Sequence, residues 1–127
     1  LQSIIETVIA GGVEIGVTLT IGGAVVSGIL INGRKYFEEL GASIATSSKQ
    51  DGDLQSVMAQ SWKGYASIYD KPDGAPDDWS APPAGFLHLR NARYFSPGQP
   101  AMPKQDGMLW RCKLSSVDGF SLVNITT

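Results

Sequence analysis

The chain has 127 residues, of which 43% are hydrophobic and 17% are charged, a composition typical of one globular domain rather than a disordered segment. Ten basic residues stand against twelve acidic ones, so no excess of positive charge exists to hold a phosphate backbone, and general nucleic-acid binding is disfavoured. The single cysteine, Cys112, excludes an internal disulfide and a cysteine-rich metal site, and a reducing cytoplasm is the simplest compartment.

The first ten residues, Leu1 to Ala10, predict a short helix that covers a sheet, because their apolar residues recur at helical spacing: Ile4, Ile5, Val8 and Ile9. The longer run from Ile4 to Ile31 contains two charged residues and has enough apolar residues to cross a bilayer. Strict alternation and frequent glycines within it instead favour strands, so no membrane association is expected.

A β-hairpin is predicted over Val13 to Ile31. Its first half alternates apolar and polar residues, with one face formed by Val13, Ile15, Val17, Leu19 and Ile21. Gly22-Gly23 supplies a turn that tolerates positive φ, and an apolar, β-branched run follows. Gly28 interrupts the second strand, which predicts a bulge or sharp bend and hence a strongly bent sheet.

A helical insert is predicted between the second and third strands. Asn32 can cap a helix whose apolar stripe consists of Tyr36, Phe37, Leu40 and Ile44. A second helix is expected to begin at Asp51 or Asp53 and to continue to Ile68 or Tyr69. Lys71 to Gly85 is rich in proline and aspartate and predicts a long loop. Trp79 in this loop either anchors it to the core or offers an exposed contact.

Three more strands are predicted after this loop. Phe86 to Phe95 is expected to direct His88 and Arg90 to a polar face, and Met108 to Val117 is expected to direct Trp110, Cys112 and Leu114 inward. Asp118-Gly119 predicts a hairpin turn into a last strand, Phe120 to Ile125. The predicted fold of residues 1–127 is therefore a single α+β domain. It has a strongly bent, small-barrel-like antiparallel sheet of about five strands, packed with two to three helices.

Few residues are available for catalysis. His88 is the only histidine, so one chain cannot form a histidine pair or a two-histidine metal site. A histidine on the polar face of a strand is usually solvated. Cys112 is predicted to be a small buried apolar residue. Asp51 and Asp53 lack the spacing of a calcium loop, and no phosphate-binding glycine loop is present. We therefore expect no metal, no cofactor and no enzymatic activity; an enzyme acting through His88 or Cys112 is the third-ranked interpretation.

Basic residues gather on the third and fourth predicted strands: Arg90, Arg93, Arg111 and Lys113. A solvated outer face is the ordinary explanation for such a group. An anionic partner such as RNA is the alternative.

Three blocks of the sequence, VTLTIGGAVVSGILINGRKYFEEL, FLHLRNARYF and LWRCKLSSVDGFSL, together and in this order resemble the gas-vesicle protein U family. These are small accessory proteins encoded with gas-vesicle genes. Cys112 stands where the family pattern has a glycine, and the Lys71 to Gly85 loop is longer and richer in proline than that pattern.

The resemblance implies a non-enzymatic, cytoplasmic protein that associates with gas vesicles. It would influence their assembly or clustering through self-association and through contact with shell proteins. The exposed aromatics and strand edges would supply these contacts. The candidate protein-binding residues are Trp79, Tyr94, Phe95 and the Pro97 to Met102 loop, with Met102 as its apolar member.

A second resemblance comes from a different class of protein. A helix, a bent five-stranded sheet and a glycine in the second strand also resemble the small barrels of Sm-like proteins, which form rings and bind RNA. Those rings depend on an arginine-glycine pair in the fourth strand, whereas Arg111 is followed here by Cys112. The stretch between Ile31 and Phe86 is also too long for that family, and fold alone does not carry function.

Overall fold

A computed structural model describes residues 1–47, 60–61, 64–66, 74 and 83–125. The chain divides into two compact units. One consists of Leu1–Asn32 with Ala84–Thr127, and the other is Gly33–Pro83. The single-domain organisation expected from the sequence stays a prediction.

The first unit contains an antiparallel sheet of five strands that is not closed, in the order β4-β3-β2-β1-β5. The strands are β1 (Ile15–Ile21), β2 (Ala24–Ile31), β3 (Phe86–Phe95), β4 (Met108–Lys113) and β5 (Gly119–Ser121). A short α-helix, α1 (Gln2–Ile4), precedes the sheet and continues as a π-helical segment, Ile5–Ile9. The predicted α+β class is confirmed, and β3 begins and ends at the predicted residues.

The core of this unit lies between the N-terminal helix and one face of the sheet. Its buried members are Ile5, Ile9, Val17, Leu19, Val26, Leu30, Leu87, Leu89 and Ala92. The alternation read from the sequence places Val17 and Leu19 on the same face, and both are completely buried. Complete burial of such a side chain contributes about 1.5–3 kcal/mol, so this face provides the main stabilisation of the sheet.

The predicted hairpin is confirmed, and so is the irregularity at Gly28. β1 pairs with β2 from Ile15↔Leu30 to Ile21↔Ala24. The register between β2 and β3 shifts between Ser27 and Ile29. A Cβ atom at Gly28 would lie 3.0 Å from the Arg90 carbonyl oxygen and 3.1 Å from the Ala92 Cα. Glycine therefore allows the two backbones to approach at the bulge.

The bulge itself lies on β3, where Asn91 adopts a φ of 56°. The register between β3 and β4 also shifts between Leu89 and Ala92. The Asn91 side-chain oxygen accepts a hydrogen bond from the Gly107 N–H at 2.8 Å, just before β4. One left-handed residue thus interrupts the pairing of β3 with both of its neighbours, and asparagine is among the residues that tolerate this conformation.

The second unit contains α2 (Gly33–Ser47), which follows β2 directly as predicted. Phe37 on its apolar stripe is buried. The Phe37 ring lies edge-on to Tyr36 at 5.0 Å and tilted against Tyr65 at 5.6 Å. The helix predicted from Asp51 or Asp53 onward and the Lys71 to Gly85 loop fall largely outside the described residues.

The structure corrects the strands predicted after β3. β4 ends at Lys113 rather than Val117, because Leu114–Ser116 forms a 3₁₀ turn. β5 pairs with β1 rather than with β4. Asp118 does not form a hairpin turn between β4 and β5. Its carboxylate instead accepts a hydrogen bond from the Gly22 N–H at 2.9 Å, and its own N–H donates to the Thr20 carbonyl at 2.8 Å.

The last strand also ends early, at Ser121 rather than Ile125. The following segment leaves the edge of the sheet and crosses the face opposite the core, where Thr18 and Ser27 lie. The Thr18 hydroxyl donates to the Val123 carbonyl at 2.6 Å, and the Ile125 N–H donates to the Ser27 hydroxyl at 2.7 Å. These two hydroxyl groups replace the backbone partners that continued strand pairing would provide.

Candidate functional site

Two exposed side chains lie at the end of β3 beside a half-buried tryptophan, and we call the three residues, Tyr94, Met102 and Trp110, the aromatic cluster. The Tyr94 N–H donates to the Met102 carbonyl at 2.7 Å, and the Met102 N–H donates to the Tyr94 carbonyl at 2.9 Å. Directly opposed residues of an antiparallel pair project to the same face. The Tyr94 side chain is 38% exposed and that of Met102 is 58% exposed, so the cluster presents apolar surface to solvent.

Trp110 on β4 holds Tyr94 in place. Its indole N–H donates to the Tyr94 hydroxyl oxygen at 3.0 Å, and the two rings meet edge-on with centroids 6.5 Å apart. Trp110 is half-buried and packs against the core, as the inward prediction implies. Its contact with Tyr94 was not predicted. The available signal was the indole N–H itself, which requires a partner when a tryptophan is buried.

The other candidate residues lie apart from this cluster. Phe95 follows Tyr94 directly, so its side chain projects from the opposite face of β3. There the Arg93 guanidinium lies 5.4 Å from the Phe95 ring centroid. These two residues line an open cavity of about 400 Å³ with Pro100 and Lys104. Trp79 lies outside the described residues.

Arg90 and Arg111, two of the four clustered basic residues, donate hydrogen bonds to other side chains of the protein. Arg90 forms a bidentate ion pair with Glu14, with nitrogen–oxygen distances of 2.7 and 3.2 Å. The Arg111 guanidinium stacks on the Phe86 ring at 3.7 Å and donates from Nε to the His88 Nε2 at 3.1 Å. The sequence interpretation of a solvated outer face therefore describes neither Arg90 nor Arg111 fully.

The prediction that His88 is solvated is wrong. Its side chain is 3% exposed, and its partner in the register, Ile31, is 1% exposed. Both side chains project from the face opposite the core cluster. The alternation of apolar and polar residues predicts that this face is exposed to solvent, but at this end of β3 it is buried. Burial, followed by the positive charge of Arg111, lowers the pKa of His88 from 6.5 to about 4.

The hydrogen bond from Arg111 determines which nitrogen of the neutral His88 ring carries the proton. Because Nε2 accepts a hydrogen bond from Arg111, the neutral ring must carry its own proton on Nδ1. A pKa of about 4 leaves the ring uncharged at neutral pH. A general acid or base works best with a pKa near the operating pH, so His88 is poorly suited to proton transfer there.

Cys112 shows the behaviour of a packed thiol. It is partly buried against the core, and burial raises the pKa of its thiol. The sulfur contacts the Lys113 carbonyl at 3.2 Å. A raised pKa reduces the fraction of thiolate, which is the nucleophilic form.

Within the described ranges, no group of three or more histidine, cysteine or carboxylate side chains is placed to hold a metal ion. No helix in the same ranges is long and apolar enough to cross a membrane.

The model of the family described as "Gas vesicle protein GvpU-like" matches residues 1–125. The chain belongs to this family of gas-vesicle accessory proteins. The match covers all three blocks on which the sequence resemblance depends, so the predicted membership is confirmed. No curated protein and no solved structure matches the chain.

Proposed function

We propose that this protein is a non-enzymatic accessory protein that acts in gas-vesicle assembly or clustering. The observation that carries the proposal is the family match over residues 1–125. It acts in the cytoplasm, in association with gas vesicles, through self-association and through contact with shell proteins. It requires neither nucleic acid nor a membrane.

The aromatic cluster is the proposed contact for a shell protein. Protein interfaces are enriched in tyrosine, tryptophan and methionine, and rigid aromatic groups lose little conformational entropy on binding. The Trp110 hydrogen bond fixes the Tyr94 ring while part of its surface stays exposed. Phe95, on the opposite face of β3, and Trp79 are further candidates.

We also infer that the sheet is strongly bent and small-barrel-like. β4 and β5 are consecutive in sequence but lie at opposite edges of the sheet. A flat sheet of this order would separate its edges by about 19 Å, since neighbouring strands lie about 4.8 Å apart. The chain from Lys113 to Gly119 includes a 3₁₀ turn that shortens its reach, and this supports a curved sheet.

His88 and Cys112 support the absence of catalysis. The histidine is buried, neutral at neutral pH and bonded to Arg111, and the thiol has a raised pKa. Neither group offers the activated nucleophile or base that a hydrolytic mechanism needs.

The Sm-like alternative is supported by the N-terminal helix, the five strands and the glycine at position 28 in the second strand. The ion pair of Arg90 with Glu14 and the stacking of Arg111 on Phe86 reduce the positive charge free to attract RNA. Salt-sensitive retention of RNA by the purified protein would favour this alternative over the gas-vesicle function.

The test of the proposed contact is co-flotation with purified gas vesicles. Met102→Glu places a charge in the aromatic cluster at a side chain that is 58% exposed, so it should weaken co-flotation while sparing the fold. Val8→Glu introduces the same charge at a 38% exposed residue of the N-terminal π-helical segment and serves as the control. Equal co-flotation of the two variants would contradict the proposed contact.

Trp79→Ala provides a second test. If Trp79 contacts a partner, the variant should keep its melting temperature and lose co-flotation. If the tryptophan anchors its loop to the core, the melting temperature should fall.

A further inference from the structure

Positive charge is concentrated in one part of the chain. The stretch from Phe86 to Lys113 carries five of the ten basic residues and a single carboxylate, that of Asp106, although the whole chain has a net charge of -2. This stretch consists of β3, β4 and the connection between them. A local excess of one sign attracts ligands of the opposite sign, whatever the net charge of the protein.

Two basic side chains of this stretch share an open cavity. The bonds described above already engage Arg90 and Arg111. In the part of the chain that the structure describes, no carboxylate forms an ion pair with Arg93 or Lys104. Both line the cavity of about 400 Å³ beside Phe95, and the described residues of its lining include no acidic side chain. The cavity therefore presents two positive charges that no described carboxylate balances.

Most of the remaining lining is apolar. It consists of Phe95, Pro100 and Ala101, to which Gln99 adds a side-chain amide. The Arg93 guanidinium lies 5.4 Å from the centroid of the Phe95 ring, so charge and apolar surface stand side by side. A ligand that fits this cavity should therefore combine negative charge with apolar surface.

The loop that forms the cavity has a defined backbone. The N–H and carbonyl groups of Tyr94 and Met102 bond to each other and close the loop at its base. Within it, the Gln99 N–H donates to the Ser96 carbonyl at 3.1 Å across a turn in which Gly98 has a φ of 73°. The backbone around the cavity is thus fixed before a ligand binds, which lowers the entropy that binding would cost.

We propose that this cavity binds an acidic and apolar segment of a partner protein. A carboxylate of the segment binds Arg93 and Lys104, and an apolar neighbour packs on Phe95. The planar guanidinium of arginine matches a carboxylate with two hydrogen bonds, and lysine adds a point charge. Phe95 projects from the face of β3 opposite Tyr94, so this contact is separate from the aromatic cluster. The inference rests on the proposed function, since the segment would belong to a gas-vesicle protein.

An acidic peptide is favoured over RNA because the cavity holds only two cations. The affinity of a protein for RNA grows with the number of phosphates that its basic groups contact. Arg90 and Arg111 would be needed to extend a basic track along β3 and β4, but both are engaged within the protein. A single carboxylate side chain needs no more than the two cations of the cavity.

The test uses a fluorescent peptide of alternating glutamate and leucine, and fluorescence anisotropy measures its binding without vesicles. Arg93→Gln and Lys104→Gln should each raise the Kd about fivefold. Lys104 is exposed and lies between β3 and β4, so its substitution should spare the fold. Lys113→Gln removes the same charge from β4, outside the cavity lining, and should leave the Kd nearly unchanged. A peptide with glutamine in place of glutamate should not bind.

Three results would overturn the inference. In the first, the acidic peptide does not bind, or its glutamine counterpart binds equally well. In the second, Lys113→Gln weakens binding as much as Lys104→Gln does, which would indicate a general attraction to the basic surface. In the third, a short uridine RNA binds in place of the peptide and depends on Arg93 and Lys104, which would assign the cavity to RNA.

Co-flotation with gas vesicles separates this inference from the proposed function. If the protein floats with vesicles but does not bind the acidic peptide, the inference fails and the proposed function survives. If it binds the peptide through Arg93 and Lys104 but does not float with vesicles, the proposed function fails and the cavity remains a site for acidic peptides.

Discussion

The buried histidine makes the stability of this protein depend on pH in a defined window. His88 is 3% exposed, and its pKa is lowered to about 4 by burial and by the Arg111 charge. Above pH 6.5 the ring is neutral in both the folded and the unfolded chain. Between pH 6.5 and about 4 the unfolded chain binds a proton that the folded chain does not. The free energy of unfolding therefore falls across this window as the pH is lowered.

The magnitude follows from the two pKa values. A difference between 6.5 and about 4 corresponds to about 3 kcal/mol when the whole window is crossed, at 1.36 kcal/mol for each pH unit. About 2 kcal/mol of this should be lost between pH 7 and pH 5. Below about pH 4 both forms bind the proton, so His88 adds no further loss.

Urea unfolding at pH 7 and pH 5 measures this effect, with His88→Gln as the control. The variant keeps every other titrating group, so the difference in pH dependence between the two proteins isolates His88. The pKa can also be read directly from the nuclear magnetic resonance signal of the ring, since the chain has one histidine. A ring that titrates near pH 6.5, or equal pH dependence in both proteins, would refute the reasoning.

Three other substitutions test the structure around the sheet. Gly28→Val should destabilise the protein by about 1–3 kcal/mol, because the new side chain meets the β3 backbone at the bulge; an unchanged melting temperature would contradict this. Ser27→Ala removes the hydroxyl that binds the Ile125 N–H and should cost about 1–2 kcal/mol in urea unfolding. A double-mutant cycle on Arg90 and Glu14 should give a coupling of about 0.5–1 kcal/mol that weakens with salt, since both side chains are about one third exposed. A coupling that salt leaves unchanged would argue against that ion pair.

The parts of the fold that depend on local pattern could be predicted from the sequence. Alternation in Val13 to Ile21, followed by Gly22-Gly23, indicates a hairpin without any information about distant residues. Gly28 could be assigned to a bulge because a glycine within a strand commonly marks a close backbone approach. The bounds of β3 also follow from local pattern, since turn-forming residues stand at both ends of this segment.

Pairing between distant segments could not be predicted in this way. Asp118-Gly119 has the composition of a hairpin turn, but Asp118 binds Gly22 about a hundred positions away and β5 joins β1. His88 was assigned to a polar face because it alternates with leucines, although Ile31 beside it shows that this face is also buried here. A single-sequence pattern identifies the buried face of a strand but not whether its second face is covered.

The candidate site likewise has features that could be predicted from the sequence and features that could not. Tyr94, Phe95 and Met102 were selected as aromatic or apolar residues near loops, and the exposure of Tyr94 and Met102 agrees with that choice. Their role in binding stays a prediction. The bond between Trp110 and Tyr94 depends on how β3 and β4 align across the bulge, which no local pattern encodes. The end of the last strand at Ser121 was not predicted, because Phe120 to Ile125 was expected to be an ordinary strand.

The most direct test of the account is co-flotation of the purified protein with gas vesicles, compared with the same vesicles after collapse by pressure. A protein that binds the vesicle shell should rise with intact vesicles in a saturable manner and sediment with collapsed ones. Protein that stays in the clear layer with both preparations would contradict a role on gas vesicles.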